Sequence, residues 1–216
     1  MIYLLSDLHG EMSHEGFQEY LLHGKDDDIL ILLGDIGLNF ENTPENRAFT
    51  DAFLRLQKNI AFIDGNHENF DYLYNFSEEE WNGGKVHRLT DHIVHLMRGN
   101  IYTIKYKTFF VFGGCKSSQK WKDRGLWYPQ EEATEEEYQL AYRNLLQHHM
   151  QVDYILTHKY EKGEMEADSN LSLQLLTDYI DTKVSFKYWY SGHWHQNFMI
   201  DEKHILVYDK TQYIAD

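Results

Sequence analysis

The sequence predicts an α/β fold of two stacked mixed β-sheets flanked by helices, and three patterns predict it. Apolar runs rich in β-branched residues recur, each ending in a polar or glycine-containing segment, as in strands buried on both faces. Stretches with helical period lie between them. Two further regions read as strand after strand without an intervening helix, so hairpins accompany the βα units.

Taken in order, residues 2–5, 29–33, 60–63, 154–156 and 188–190 are the expected strands of the βα units. Thr43 before Pro44 is an N-cap followed by proline in the first turn, and Phe49, Ala52, Phe53 and Leu56 then share a helix face. Thr134 and Glu137 have capping-box spacing, followed by an apolar stripe of Tyr138, Ala141, Tyr142 and Leu145. Within 86–112, Arg98-Gly99-Asn100 is expected to turn between strands over 93–96 and 101–104. The C-terminal region repeats this with strands over 198–200 and 205–208 around a polar turn. No repeat, linker or low-complexity tract interrupts the chain, so one domain over 1–216 is expected.

Composition narrows the functional classes. Hydrophobic residues at 42% and aromatics at 15% exclude a disordered chain. The excess of 35 acidic over 20 basic side chains gives a net charge of -15, a field that repels polyphosphate backbones. Long nucleic acids and anionic membranes are therefore disfavoured partners, whereas metal ions in a cleft reverse the sign locally and leave a small phosphorylated molecule compatible. The single cysteine, Cys115, excludes an internal disulfide framework, suits a reducing compartment and is expected to be a spectator thiol. With no basic leader, signal-length apolar run or membrane-spanning stretch, a soluble cytoplasmic protein is expected. Most of the 13 histidines, including His92 with His95 and His148 with His149, are expected to be surface or helix-end residues. Oligomeric state is left open by the sequence.

Residues able to bind metal stand directly after the expected strands, where ligands of open α/β sheets bind. These are Asp7-Leu8-His9 after the first, Gly34-Asp35 after the second and Gly65-Asn66-His67-Glu68 after the third. His158 follows the fourth, and Gly192-His193-Trp194-His195 the fifth. Asp-x-His and Gly-Asp are short patterns that also arise as polar turns. Gly-Asn-His-Glu is more specific: four fixed types coincide in a chain of this size with a probability on the order of one in a thousand. In an extended segment, His193 and His195 share a face while Trp194 points away.

This ordered set resembles the signature of the calcineurin-like metallophosphoesterase superfamily, and the resemblance runs from Asp7 to His195. It implies a four-layer αββα sandwich and hydrolysis of a phosphate ester, by a phosphatase or a phosphodiesterase, at two metal ions. Carried over residue by residue, Asp7, His9 and His195 would hold one metal, Asn66, His158 and His193 the other, and Asp35 would bridge them. His67 would be the catalytic histidine that binds no metal. A pair of cations roughly 3.5–4 Å apart clamps the attacking and leaving oxygens and ionises a bridging water near neutral pH. Mixed imidazole, carboxylate and amide donors suit Mn, Fe, Zn, Co or Ni, with the identity open. Gly34, Gly65 and Gly192 would let backbone pass close to the metals, or serve as turn glycines.

Asp35 is followed by Ile36-Gly37-Leu38-Asn39, without the second aspartate of the phosphoprotein phosphatase branch, which argues against a protein phosphatase. Glu68 and Asp71 are then the nearby carboxylates available to orient His67. The segment from Phe112 to Tyr128 concentrates cations and aromatics and resembles the substrate-facing loop of small bacterial and phage members. Arg124 is the expected phosphate ligand there and Trp127, or Tyr128, the stacking wall; a solvated loop packed on the sheet is the alternative. Glu78-Glu79-Glu80 is expected to be a solvated face. Two other functions follow from the same residues: a nuclease or RNA-processing phosphodiesterase, against which net charge argues, and a scaffold without catalysis, against which Asn66, His67 and Gly-His-x-His argue.

Overall fold

The computed structural model describes residues 1–161 and 170–215. The βα part comprises β1 (Ile2–Leu5), α1 (Glu15–His23), β2 (Ile29–Leu33), α2 (Pro44–Leu54), β3 (Ile60–Ile63) and the single turn α3 (Phe70–Leu73). Five strands follow: β4 (Ser77–Trp81), β5 (Gly84–Arg88), β6 (Ile93–Leu96), β7 (Ile101–Ile104) and β8 (Lys107–Phe112). Then come α4 (Gln119–Asp123), α5 (Glu135–Gln147), β9 (Tyr154–Thr157), α6 (Leu171–Lys183) and β10 (Tyr188–Ser191). The chain closes with β11 (Phe198–Met199), β12 (His204–Leu206) and β13 (Gln212–Ile214). Two mixed sheets result, in the orders β13-β1-β2-β3-β6-β5-β4 and β11-β12-β10-β9-β8-β7. This is the expected pair of stacked sheets flanked by helices.

The continuous apolar runs serve two cores at once. Ile2, Leu4, Ile31 and Leu33 meet Val111 and Leu156 between the sheets. Their neighbours Tyr3, Leu5, Leu30 and Leu32 face the other way, against Phe17 of α1 and Phe49 and Phe53 of α2. On the far side Phe110, Phe112 and Ile155 pack with Leu145 of α5 and Leu176 of α6. A one-residue slip in register would exchange the two faces, each buried side chain being worth about 1.5–3 kcal/mol. The caps hold as expected: Thr43 accepts from Asn46 N, and Thr134 with Glu137 closes a capping box.

The middle region departs from expectation. Arg98-Gly99-Asn100 does turn the chain, but β6 and β7 lie in different sheets, so it is a crossing between layers and not a hairpin. Gly99, at φ +74°, is pinned there: its N–H donates to Val111 O, its carbonyl accepts from Asn144 of α5, and a Cβ would press on Ala141. The hairpins of this region join β4 to β5 at Asn82-Gly83, β5 to β6 through residues 89–92 and β7 to β8 at Lys105-Tyr106, and the two tight turns have positive φ at both central residues. Glu78, Glu79 and Glu80 are exposed on the edge strand β4, which adds a strand to the expected solvated face. Charge there blunts an open edge.

Candidate metal centre and active-site cleft

The parallel strands β1, β2 and β3 of one sheet and β9 and β10 of the other end at a common crevice. Asp7, His9, Asp35, His193 and His195 leave those strand ends with φ between +48° and +70°. Left-handed backbone at a non-glycine residue costs of order 1–3 kcal/mol, so five such residues at one site are held by their surroundings. Hydrogen bonds between the loops do this: Asp7 N donates to Gly34 O, His9 N to Asp35 O and Gly192 N to His158 O. Two glycines admit the close approach. A Cβ on Gly65 would strike the Asp35 carboxylate, and one on Gly192 would strike Ser6 and crowd Asp7.

All seven expected metal ligands converge. On one side His9 Nε2 lies 2.9 Å from His195 Nε2, and Asp7 Oδ1 is 3.4 Å from His195 Nε2. On the other, His158 Nε2 lies 3.2 Å from Asn66 Oδ1 and 3.3 Å from His193 Nδ1. Asp35 stands between, with Oδ2 3.7 Å from His9 Nε2 and Oδ1 3.5 Å from His158 Nε2. His158 Nδ1 donates to Leu33 O at 2.8 Å, which turns the lone pair of the neutral ring's Nε2 inward, towards other acceptors. Asp7 Oδ1 is buried with no hydrogen-bond partner. Acceptors aimed at one another in a buried site repel unless a cation lies among them, so these residues fit bound metal.

The electrostatics differ from donor to donor. Burial, followed by the neighbouring His158, pushes the His193 imidazole down to about 3, keeping it neutral and free to ligate. Burial opposes ionisation of Asp35, but His158, His67 and His9 outweigh it and hold the carboxyl well below the usual range. The Asp7 carboxylate beside it raises His195, burial notwithstanding.

His67 comes to the same cleft, and neither nearby carboxylate of the sequence is bonded to its ring among the described residues. Glu68 is buried and accepts from Ile36 N and Gly37 N, bracing the loop after β2, and Asp71 is exposed on α3. The His67 ring is set by aromatic faces: Phe40 stacks on it at 4.9 Å, and Trp121 meets it edge-on at 4.3 Å between centroids. Burial lowers its affinity for a proton, with Asp35 partly compensating.

The cleft, about 780 Å³, is lined by His9, Asp35, Asn66, His67, His193 and His195, above buried Asp7 and His158. Its walls carry Trp121 and Trp194, its cations are Lys116 and Lys159, and Glu11, Glu41 and Glu45 stand at its rim. Arg124 and Trp127 are not among the lining residues. The short helix α4 turns Trp121 inward and leaves Arg124 on the outer face of that indole, 4.5 Å from its ring, while Trp127 packs under Lys122. Of that segment, Lys116, Ser117, Ser118 and Trp121 line the cleft, whereas Arg124, Trp127 and Tyr128 do not.

Four supporting residues carry no sequence signal of their role. Asn66 Nδ2 donates to Ser117 Oγ at 3.1 Å, and Ser117 donates through N and Oγ to Glu131 at 2.6 and 2.7 Å. The buried Glu131, whose carboxyl is pushed up to about 7 chiefly by burial, thus fixes which end of the Asn66 amide faces His158. Cys115, expected to be a spectator, lies with Sγ 3.0 Å from Asn66 Oδ1 and 3.6 Å from His193 Nδ1. Lys159, beside His158 in the chain, is buried and paired with Glu161 at 2.9 Å. Serine, glutamate and cysteine at these spacings match no short motif, so only the fold reveals them.

Fold and donors together define a metal-binding α/β protein. The chain belongs to the calcineurin-like phosphoesterases, whose family model matches residues 1–197. Among curated proteins none matches the chain. Among solved structures, TT1561 of Thermus thermophilus is similar at 15% identity with a TM-score of 0.51, over 96% of this chain and 88% of that one. Phosphopantetheinyl hydrolase (PptH) from Mycobacterium tuberculosis is similar at 18% identity with a TM-score of 0.43, over 96% and 89%. The first supports the fold of two mixed sheets with flanking helices. Among the described residues, no helix is long and apolar enough to cross a membrane.

Proposed function

We propose that the protein hydrolyses a phosphate ester of a small molecule or nucleotide at a two-metal centre. Asp7, His9 and His195 hold one ion, Asn66, His158 and His193 the other, and Asp35 both. The observation that carries this reading is the Asp35 carboxylate, whose two oxygens lie 3.7 and 3.5 Å from imidazole nitrogens of opposite donor sets. When bound, two such ions neutralise the phosphoryl oxygens and acidify the attacking water.

The chain's own side chains supply the remainder. His67, at the cleft wall beside His9, donates a hydrogen bond to the phosphoryl group or a proton to the leaving oxygen, and an incoming phosphate provides the counter-charge that its aromatic surroundings lack. Lys116 adds positive charge to the wall, whereas the charge of Lys159 is balanced by Glu161. Trp121 offers a flat face to a base or ring in the leaving group. The acidic rim repels a long polyanion, which favours a small substrate over RNA or DNA.

The test is a panel of aryl mono- and diesters and nucleotides, run with Mn, Ni, Co, Zn and Mg, beside metal analysis of the purified protein. About two ions per chain and metal-dependent turnover are expected, both lost in Asp35→Ala. Turnover that survives strong chelation and Asp35→Ala sinks the proposal, and cleavage confined to oligonucleotides in a gel assay replaces the small substrate with a nucleic acid.

A further inference from the structure

Cys115 Sγ sits among donors and not among methyl groups alone. Its polar partners are Asn66 Oδ1 at 3.0 Å and His193 Nδ1 at 3.6 Å, and Cys115, His158 and His193 form a group whose ligand atoms all lie within 4.8 Å of one another. Asn66, His158 and His193 are the three residues assigned above to one metal. Ligands around a single ion at about 2.0–2.3 Å stand roughly 3–3.7 Å apart along the edges of their polyhedron. The separations that Asn66 Oδ1, His158 Nε2, His193 Nδ1 and Cys115 Sγ show, 3.2, 3.3, 3.6 and 3.0 Å, fall in that range.

Two further observations favour an ion there over a merely packed thiol. His158 Nε2 is turned inward by the bond from Nδ1 to Leu33 O, and Asn66 Oδ1 is turned inward by the bond from Nδ2 to Ser117 Oγ. Asp7, whose Oδ1 is buried without a partner, has a carboxylate oxygen within 4.8 Å of donor atoms of Asp35 and His158, so the unmet demand for a cation reaches this side of the crevice. The other donor group, Asp7, His9 and His195, contains no sulfur.

We infer that Cys115 is a ligand of the metal held by Asn66, His158 and His193, making the two halves of the centre chemically unequal, one with sulfur and one with oxygen and nitrogen only. This rests on the two-metal reading. On binding, the thiol proton passes to solvent and a sulfur–metal bond replaces the S–H bond, with no change of oxidation state. Thiolate draws zinc, cobalt or iron in preference to magnesium or manganese, so the sulfur-bearing half selects a softer ion than its neighbour.

Cobalt(II) added to the metal-free full-length protein is the probe, with Cys115→Ser and Cys115→Ala beside wild type. The expected result is visible cobalt absorption in all three and an intense near-ultraviolet sulfur-to-cobalt band in wild type alone. Zinc competition should also show a zinc preference over magnesium that drops about tenfold or more in both variants. Visible cobalt bands with the same near-ultraviolet spectrum in all three would leave the metal centre standing and overturn the cysteine ligand. Failure of wild type to bind cobalt at all overturns both.

Discussion

Two buried polar clusters lie close together along the chain and solve the same electrostatic problem differently. Around Asp64, two residues before Asn66, the protein supplies its own cation. Arg98 donates through Nε to Asp64 Oδ2 at 2.8 Å, and through Nη2 to the same oxygen and to Gln130 O, while His95 Nε2 bonds to Asp64 Oδ1 at 3.1 Å and His87 stacks on His95. In the crevice, by contrast, carboxylate, amide and imidazole acceptors face one another, and among the described residues no arginine or lysine bonds between them. A fixed guanidinium makes a cluster structural. A site built of acceptors alone awaits a cation from solution and can place it against a substrate. The histidines follow the same division: His87 and His95 are interior residues of the first cluster, correcting the expectation that His95 lies at the surface.

If that division is right, perturbing the crevice should cost chemistry, and perturbing the Asp64 cluster should cost stability. The largest effect is expected at His67, where alanine should lower kcat about 10²–10⁴-fold while metal content stays near wild type. Metal analysis and steady-state kinetics on one preparation separate the two, and a wild-type kcat would remove His67 from the mechanism.

Next, Asp64→Asn should destabilise the fold by about 3–5 kcal/mol, because it strands the buried Arg98 charge. Burial works against the Asp64 carboxylate, but Arg98 and His95 hold it well below the usual range. A depressed carboxylate contributes its stability fully above its unfolded value, about 3.9, and loses it as pH falls through the folded value. Denaturant titrations should therefore show the Asp64→Asn deficit undiminished from pH 5 to 8 and shrinking only in strong acid. A deficit that appears instead in kcat of the folded enzyme would erase the distinction between the clusters.

A smaller effect is expected where one cluster is supported by other residues. Ser117→Ala removes the acceptor from Asn66 Nδ2 and should weaken metal binding about 10–100-fold, read by titration of the metal-free protein, with little change in denaturation midpoint before metal is added. Trp121→Ala should be the mildest, worth about 0.5–1.5 kcal/mol, or a few-fold to roughly tenfold in kcat/KM. That loss should fall on substrates with an aromatic leaving group and spare a sugar phosphate; equal losses on both would make Trp121 only a support for His67.

Much of the site was legible in the chain because its donors sit directly after apolar runs. A strand buried on both faces announces itself as a continuous run, and its end must be where polar backbone and side chains reach the surface. Hence Asp7, Asp35, Asn66, His158 and His193 could be placed without coordinates, as could both helix caps. Asn82-Gly83 carries a strong local hairpin signal, whereas nothing local distinguishes a crossing at Arg98-Gly99-Asn100 from a hairpin.

The sequence by itself determined the alternation of strands and helices, the order of the donors and the family to which they belong, since each depends on residue type and spacing along the chain. Only the tertiary structure decided that Trp121 and not Trp127 faces the cleft, that Phe40 and Trp121 rather than Glu68 frame His67, and that Ser117, Glu131 and Cys115 stand behind Asn66. Those contacts join residues 14 to 78 positions apart in the chain. They are set by how loops from two sheets meet at one crevice, and such a meeting depends on the packing of both sheets against a shared core, which no local pattern encodes.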